Sequence, residues 1–426
     1  MLPSSENSEP AKQKLKIEAS LILSVVAVGI SSTITQIILL REFLTVFYGN
    51  ELVIGIILAN WMMLTGFGSF LGKYSTKVTN KINLLIILLL LISVIPIITV
   101  FSVDFLRNIV FPVGSMVGII QILYSSFILL IPFCVTSGFT FTTFVHVISE
   151  RYRTNLIPSV YSWESFGSVI GGFAFSMIMI YFITTFKSVI MAMIFNLSAT
   201  FVFSFIYGGK IAKYIVLIIF VIIPTGLMTV DLDKISKEYL FQNQNLIDYK
   251  DTPYGKITVT EQGEQKKFYE NDNLLFSTND PTLNEEAIHY AMLQHKNPKR
   301  VLLISGGISG TMPELLKYKV DKIYYVEINP WLIEIGKKYS TELTEDKIKI
   351  INQDARLYIK TTSEYFDVVL INLPEPSTVQ INRFYTTEFF NELKSRLRNG
   401  AVISIGLTSS ADYLSPETRQ LKSSIY

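Results

Sequence analysis

The chain has 426 residues, of which half are hydrophobic and only 17% charged, and its formal net charge is +2. That balance is too apolar for an ordinary soluble enzyme and points to a membrane protein. A near-neutral chain without a basic stripe also excludes a nucleic-acid partner. The single cysteine, Cys134, excludes a disulfide framework and a thiolate metal cluster, and three scattered histidines (His146, His289, His295) give no metal site.

Seven stretches approach the length of a membrane-spanning helix, at about 17–40, 51–72, 83–103, 112–133, 160–184, 187–207 and 213–230. A polar tail, residues 1–16, precedes the first, which has no small-residue cleavage site and reads as an anchor. The fourth stays apolar to Ile148 but contains Pro132 and Gly138, which predict a bend or re-entrant segment. With seven spans, one side collects Lys12, Lys14, Lys16, Lys73, Lys77, Lys81, Arg151, Arg153, Lys210 and Lys213. The other collects Arg41, Arg107 and Lys187. This bias favours a cytoplasmic N-terminus in a multi-pass cell-membrane protein, with the C-terminal domain outside. Splitting the fourth stretch would bring that domain inside, so its side stays open. Asn60, His146 and Glu164 are candidate pathway residues, although His146 and Glu164 flank a basic loop and also suit an interface. Gly66, Gly68 and Gly72, like Gly167, Gly171 and Gly172, have a spacing suited to close helix packing.

Residues 231–252 are charged and amide-rich and read as a linker. Residues 253–426 form the second domain. Its β-rich part, 253–280, holds a predicted hairpin, Lys256–Glu261 and Gln265–Glu270. From 281 onward a helix to His295 is followed by strands at 301–304, 322–326, 347–351, 366–371 and 401–406, with helical patterns between. This alternation predicts an α/β Rossmann-like domain with a parallel sheet.

Three features fall at successive strand ends. Ser305-Gly306-Gly307-Ile308-Ser309-Gly310 follows the first strand, where glycines permit a tight turn and close approach of a ligand. Glu327 ends the second strand and suits both ribose hydroxyls, and Asp354 ends the third and suits an adenine amine. Together they predict an adenine-nucleoside site. A fourth strand, Val368–Ile371, stops at Asn372, with Glu375 three residues later.

The motifs "TPYGKITV", "HKNPKRVLLISGG", "VEINP", "NQDAR", "VVLINLPEP" and "FYTTEFF" resemble, in order and near spacing, the spermidine synthase family of aminopropyltransferases. With helices ahead of that domain, the chain resembles the membrane-fused spermidine synthase-like proteins, whose helices are similar to half of a major-facilitator transporter. The resemblance implies a class I methyltransferase-type fold and aminopropyl transfer from decarboxylated S-adenosylmethionine to a diamine such as putrescine. It implies the adenosyl compound as co-substrate, with no permanently bound cofactor and no metal, and a homodimer is compatible with it. Matched motif to motif, Gly306, Gly307, Gly310, Glu327, Asp354 and Ala355 form the nucleoside half of the site. Tyr254, Asn284, Arg383 and Tyr385 fall in the acceptor half, and Asn372 and Glu375 at the catalytic acids.

The amine half departs from the family. Ile308 stands where an Asp grips an amine, Asn284 at a His, and Gly255 at a Gln. Asn372 stands at the catalytic Asp, and an amide cannot accept the proton that an attacking amine must lose. Arg383 suits an anionic group better than a diamine, and also suits a solvated surface. Three functions remain for this domain: an aminopropyltransferase with Glu375 as base, a non-catalytic adenosyl-binding or sensing domain coupled to transporter-like helices, and methyl transfer from intact S-adenosylmethionine; a structural or transport role of the helices alone stays open beside them. A methyltransferase-like sheet continues past its fifth strand, so the C-terminal end of the sheet is expected to be missing from this chain.

Overall fold

The protein is described from a computed structural model, which covers residues 8–47, 49–112, 117–278, 280–339, 342–376, 378–407 and 416–425. It divides into two compact units, Met1–Leu246 and Ile247–Tyr426.

The first unit is helical: α1 (Ser8–Val46), α2 (Glu51–Leu71), α3 (Lys81–Val110), α4 (Ile119–Tyr152) and α5 (Ile157–Ala174), then a π-helical turn (Phe175–Met179) into α6 (Ile180–Phe182). Next come α7 (Thr185–Tyr207), α8 (Lys210–Met228) and α9 (Leu232–Leu240). Counting α5 through α6 as one, seven of these are long and apolar enough to cross a membrane. Asn50 and Asn80 cap α2 and α3 by accepting backbone N–H groups of the first turn. Several boundaries differ from the sequence reading. The helix of the first span already begins at Ser8, so residues 8–16 are not a separate tail, and residues 1–7 lie outside the described residues. The fourth stretch forms one helix and not two spans, because α4 runs continuously through Pro132 and Gly138. Gly138 serves packing instead: a Cβ there would lie 2.0 Å from the Thr65 carbonyl oxygen of α2.

Close packing explains most of the other helix glycines. A Cβ would meet backbone of the neighbouring helix at Gly68 (Val135), Gly167 (Val26) and Gly171 (Ile30), and the Thr142 side chain at Gly72. Gly66 faces open space, and Gly172 has only ordinary contact with Thr33. Asn60 is buried and ties α2 to α4, donating to the Leu123 carbonyl (3.0 Å) and Ser126 Oγ (2.9 Å). His146 shares a 2.7 Å hydrogen bond with Ser75, beside the Lys81–Glu150 ion pair. The outer helices keep apolar faces uncovered: on α8 only Val216 and Pro224 are buried.

The expected linker 231–252 is structured. Asp233 of α9 accepts the Thr184 hydroxyl (2.6 Å) and the Phe186 N–H (3.2 Å), and Tyr239 packs edge-on against Phe105. Polar groups that read as linker are thus consumed in anchoring a short helix. The segment then becomes β1 (Asn245–Asp251).

In the second unit the expected hairpin is part of a larger, four-stranded sheet, ordered β1, β2 (Lys256–Gln262), β3 (Gln265–Glu270) and β4 (Asn273–Ser277). Asn271 and Asp272, both with positive φ, form the tight turn between β3 and β4. The remaining elements alternate. They are α10 (Pro281–Met292), β5 (Arg300–Ile304), α11 (Thr311–Leu316), β6 (Lys322–Val326), α12 (Pro330–Tyr339), β7 (Ile348–Ile351), α13 (Ala355–Thr361) and β8 (Phe366–Ile371). After these come α14 (Val379–Asn382), α15 (Thr387–Lys394), β9 (Leu397–Ile405) and α16 (Pro416–Ile425). The five later strands form one parallel sheet in the order β7-β6-β5-β8-β9. Every residue of β8 is buried, as a strand covered on both faces requires. Its one charge, Asp367, accepts the N–H groups of Lys299 and Arg300 (2.8 Å each) and pins the start of β5. Strand order reverses between β5 and β8, and an open sheet of this kind binds ligands beyond that point.

Candidate functional site

The chain leaves β5 through Ser305, which has a φ of +59°, and Gly306, at +72°. The turn is packed from below and from both sides. A Cβ on Gly307 would lie 2.6 Å from the Tyr325 ring, and one on Gly306 2.8 Å from the Asn372 Cβ. On Gly310 it would lie 2.7 Å from Asn284 Nδ2. The structure therefore brings Asn284, Asn372 and the glycine loop together at one sheet edge. Because Tyr325 is fully buried and cannot retreat, Gly307→Ala is expected to cost about 1–3 kcal/mol. A lowered melting temperature, with loss of nucleoside binding, checks this.

Glu327 follows β6 directly and is buried at 4% exposure. Its Oε2 accepts the hydroxyls of Ser305 (3.1 Å) and Tyr325 (3.3 Å), and its Oε1 accepts the N–H of Asn329 (3.2 Å). Burial pushes its carboxyl up to about 7, against the Asn329 hydrogen bond and with help from the charge of Glu270. Glu270 closes β3 and accepts Asn329 Nδ2 at 2.9 Å; burial raises its carboxyl too, opposed by that amide. Glu270, Asn329 and Tyr325 are not among the site residues read from sequence, and Ser305 entered only as the start of the glycine turn. The signal for Asn329 lay within "VEINP", two residues past Glu327. None marked Glu270, which is brought in by the turn after β3.

The nucleoside and acceptor residues differ in how free they are. Asp354 caps α13 by accepting the Leu357 N–H (3.0 Å), while its other oxygen pairs with Arg383. Arg383 is partly exposed but already engaged, since its Nε also donates to the Gln380 carbonyl (2.9 Å). Ala355 is buried at the first position of α13. Ile308 points into the core, where its side chain packs under Gly336, so the side chain at 308 does not line the ligand side of the loop. Gly255 lies against the Asn271 side chain, which holds the β3–β4 turn. Tyr254 is exposed with its ring 6.1 Å from that of Trp331.

Beyond β8, the backbone N–H of Asn372 donates to the Ile304 carbonyl (3.0 Å), which leaves its side chain beside Gly306. Tyr385 donates its hydroxyl to the Pro374 carbonyl (3.0 Å) and closes the loop that carries Glu375. Burial, with the nearby Glu375 charge, pushes the Tyr385 hydroxyl up to about 12, so it stays protonated. His289 has acidic neighbours: its ligand atoms and those of Glu285 and Glu314 lie within 4.8 Å of one another. Lys317 already neutralises Glu314 at 2.5 Å, and Tyr318 bonds the other ring nitrogen of His289. That arrangement is an ion-pair network on α10 and α11.

A parallel sheet with helices between its strands, a glycine turn at its first strand end and a buried acid at its second make this an α/β domain of the doubly wound class. Residues 281–411 match the family described as the spermine/spermidine synthase domain, and this part of the chain is spermidine synthase-like. A polyamine aminopropyltransferase of Leptospira interrogans is 34% identical over 41% of this chain and 36% of its own length. That of Oceanobacillus iheyensis is 26% identical over 57% of this chain and 50% of its own. The chain thus spans about a third to a half of the length of these two relatives. Among solved structures, a spermidine synthase in complex with the transition-state analogue AdoDATO is similar, at 25% identity, 37% coverage of this chain, 57% of that one, and a TM-score of 0.36.

Proposed function

We propose that the protein is a membrane-anchored aminopropyltransferase that uses decarboxylated S-adenosylmethionine and a diamine. The observation that carries this reading is the convergence of the glycine turn, the buried Glu327 and the Asn372–Glu375 loop at the carboxyl ends of β5, β6 and β8. Three of roughly four acceptor positions on the Glu327 carboxylate are filled within the protein. A ribose diol takes the fourth and displaces the Ser305 hydroxyl, the donor that lies in the turn itself. Asp354 reaches an adenine amine only by sharing the oxygen now held by Arg383.

The reaction is an in-line displacement. The amine nitrogen attacks the methylene next to the sulfonium, the carbon–sulfur bond breaks, and its electron pair returns to sulfur to give a neutral thioether. The proton lost by the amine passes to Glu375, which is half-buried and has no hydrogen-bonding partner among the described residues. Asn372 orients the amine through its carbonyl oxygen. The uncovered apolar faces of the seven long helices support residence in a bilayer. A second reading, an adenosyl-binding domain without turnover, is favoured by the neutral side chain at Asn372.

Calorimetric titration of the full-length protein with decarboxylated and intact S-adenosylmethionine tests the assignment. Tighter binding of the decarboxylated compound is expected, and a preference for the intact one contradicts the aminopropyl reading.

A further inference from the structure

Glu270 belongs to neither half of the site as read from sequence, yet it is fixed beside Glu327. One residue holds both carboxylates: Asn329 donates its backbone N–H to Glu327 Oε1 (3.2 Å) and its side-chain amide to Glu270 Oε1 (2.9 Å). Asn329 is itself 2% exposed and bound in turn by the Trp331 N–H, so the clamp is rigid. On the other side, the Asn271–Asp272 turn fixes the end of β3, with Asn271 accepting the Lys256 N–H (2.9 Å) and packed against Gly255. The donors on the two acids are neutral: a serine, a tyrosine, a backbone N–H and an amide. No lysine or arginine hydrogen-bonds either acid among the described residues. Arg383, a cation of the acceptor half as read from sequence, is paired with Asp354.

A buried Glu327 and a half-buried Glu270 side by side, with no cation hydrogen-bonded to either among the described residues, are costly unless a proton or a bound positive charge balances them. We propose that Glu270 is a specificity-determining residue of the nucleoside site, selecting adenosyl ligands that carry a positive charge over the neutral thioether nucleoside. The inference rests on the adenosyl-site reading and adds to it a reason for release: once the sulfonium is discharged, the ligand no longer balances Glu270, and the product leaves. Burial raises both carboxyls toward neutrality, which is the same uncompensated charge seen without ligand.

The test is calorimetric titration of the full-length protein and its Glu270→Gln variant with S-adenosylmethionine and with 5′-methylthioadenosine, which shares the nucleoside but has no charge. Glu270→Gln is expected to weaken the sulfonium ligand on the order of tenfold or more, while the thioether binds as well as before or better. Unchanged thioether binding also shows that the variant is folded. Equal weakening of both ligands, or of neither, overturns the role of Glu270. If the unsubstituted protein binds neither ligand, the adenosyl site itself is wrong, and the proposal goes with it. Glu270→Leu, which removes the hydrogen bond to Asn329 as well as the charge, is expected to show the same selective loss of the sulfonium ligand; loss of both ligands alike in the two variants assigns Glu270 to structure.

Discussion

Glu327→Ala is expected to abolish binding of adenosyl ligands to the α/β domain. The carboxylate stands beside the glycine turn at the end of β6, and it is held there by three donors from Ser305, Tyr325 and Asn329. Removing it leaves the Tyr325 hydroxyl buried without its acceptor, so some stability is lost as well, about 1–3 kcal/mol. Glu327→Gln separates the two effects, since it keeps the shape and removes the charge. The pH dependence follows from the same group. Its carboxyl is raised to about 7 from an ordinary 4.5, so the folded protein without ligand is favoured at low pH and loses that contribution as pH rises from about 4.5 through 7. A ribose diol needs the ionised form as acceptor. Nucleoside affinity is therefore expected to rise with pH through about 7, and to become flat in Glu327→Gln, as read by titration at a series of pH values.

Asn372→Asp is expected to raise aminopropyl transfer without disturbing the fold. The substitution is nearly isosteric, and the contact that positions residue 372 is its backbone N–H to the Ile304 carbonyl, which is unchanged. The new carboxylate would stand beside Gly306, at the end of the strand next to the glycine turn, where an attacking amine needs a proton acceptor. General bases contribute about 10²–10⁴-fold, and with Glu375 already present the gain is expected at about tenfold. Release of 5′-methylthioadenosine is the measurement. Glu375→Gln provides the complement: it should lower the rate in the native background and matter less when combined with Asn372→Asp. An unchanged rate in both variants places the proton acceptor elsewhere.

The alternating strands and helices of the second unit were legible because each strand is a short apolar run bounded by turn residues, from Val301–Ile304 to Phe366–Ile371. The seven long helices were legible from length and hydropathy. What failed were the places where polar residues are used up by local contacts. Asp233 and Tyr239 read as linker because nothing in their neighbours shows that Thr184, Phe186 and Phe105 receive them. Gly138 read as a break because its partner, the Thr65 backbone, belongs to another helix far away in the chain. In the site, the strand-end residues Glu327, Asp354 and Asn372 could be placed from spacing alone. Their commitments could not: Arg383 bound to Asp354, Ile308 turned into the core, and Glu270 delivered by another sheet all depend on long-range packing.

The central claim is tested most directly by incubating the full-length protein with decarboxylated S-adenosylmethionine and putrescine. The account predicts spermidine and 5′-methylthioadenosine in equal amounts, both lost in Glu327→Ala; binding of the adenosyl compound with no thioether released would contradict it.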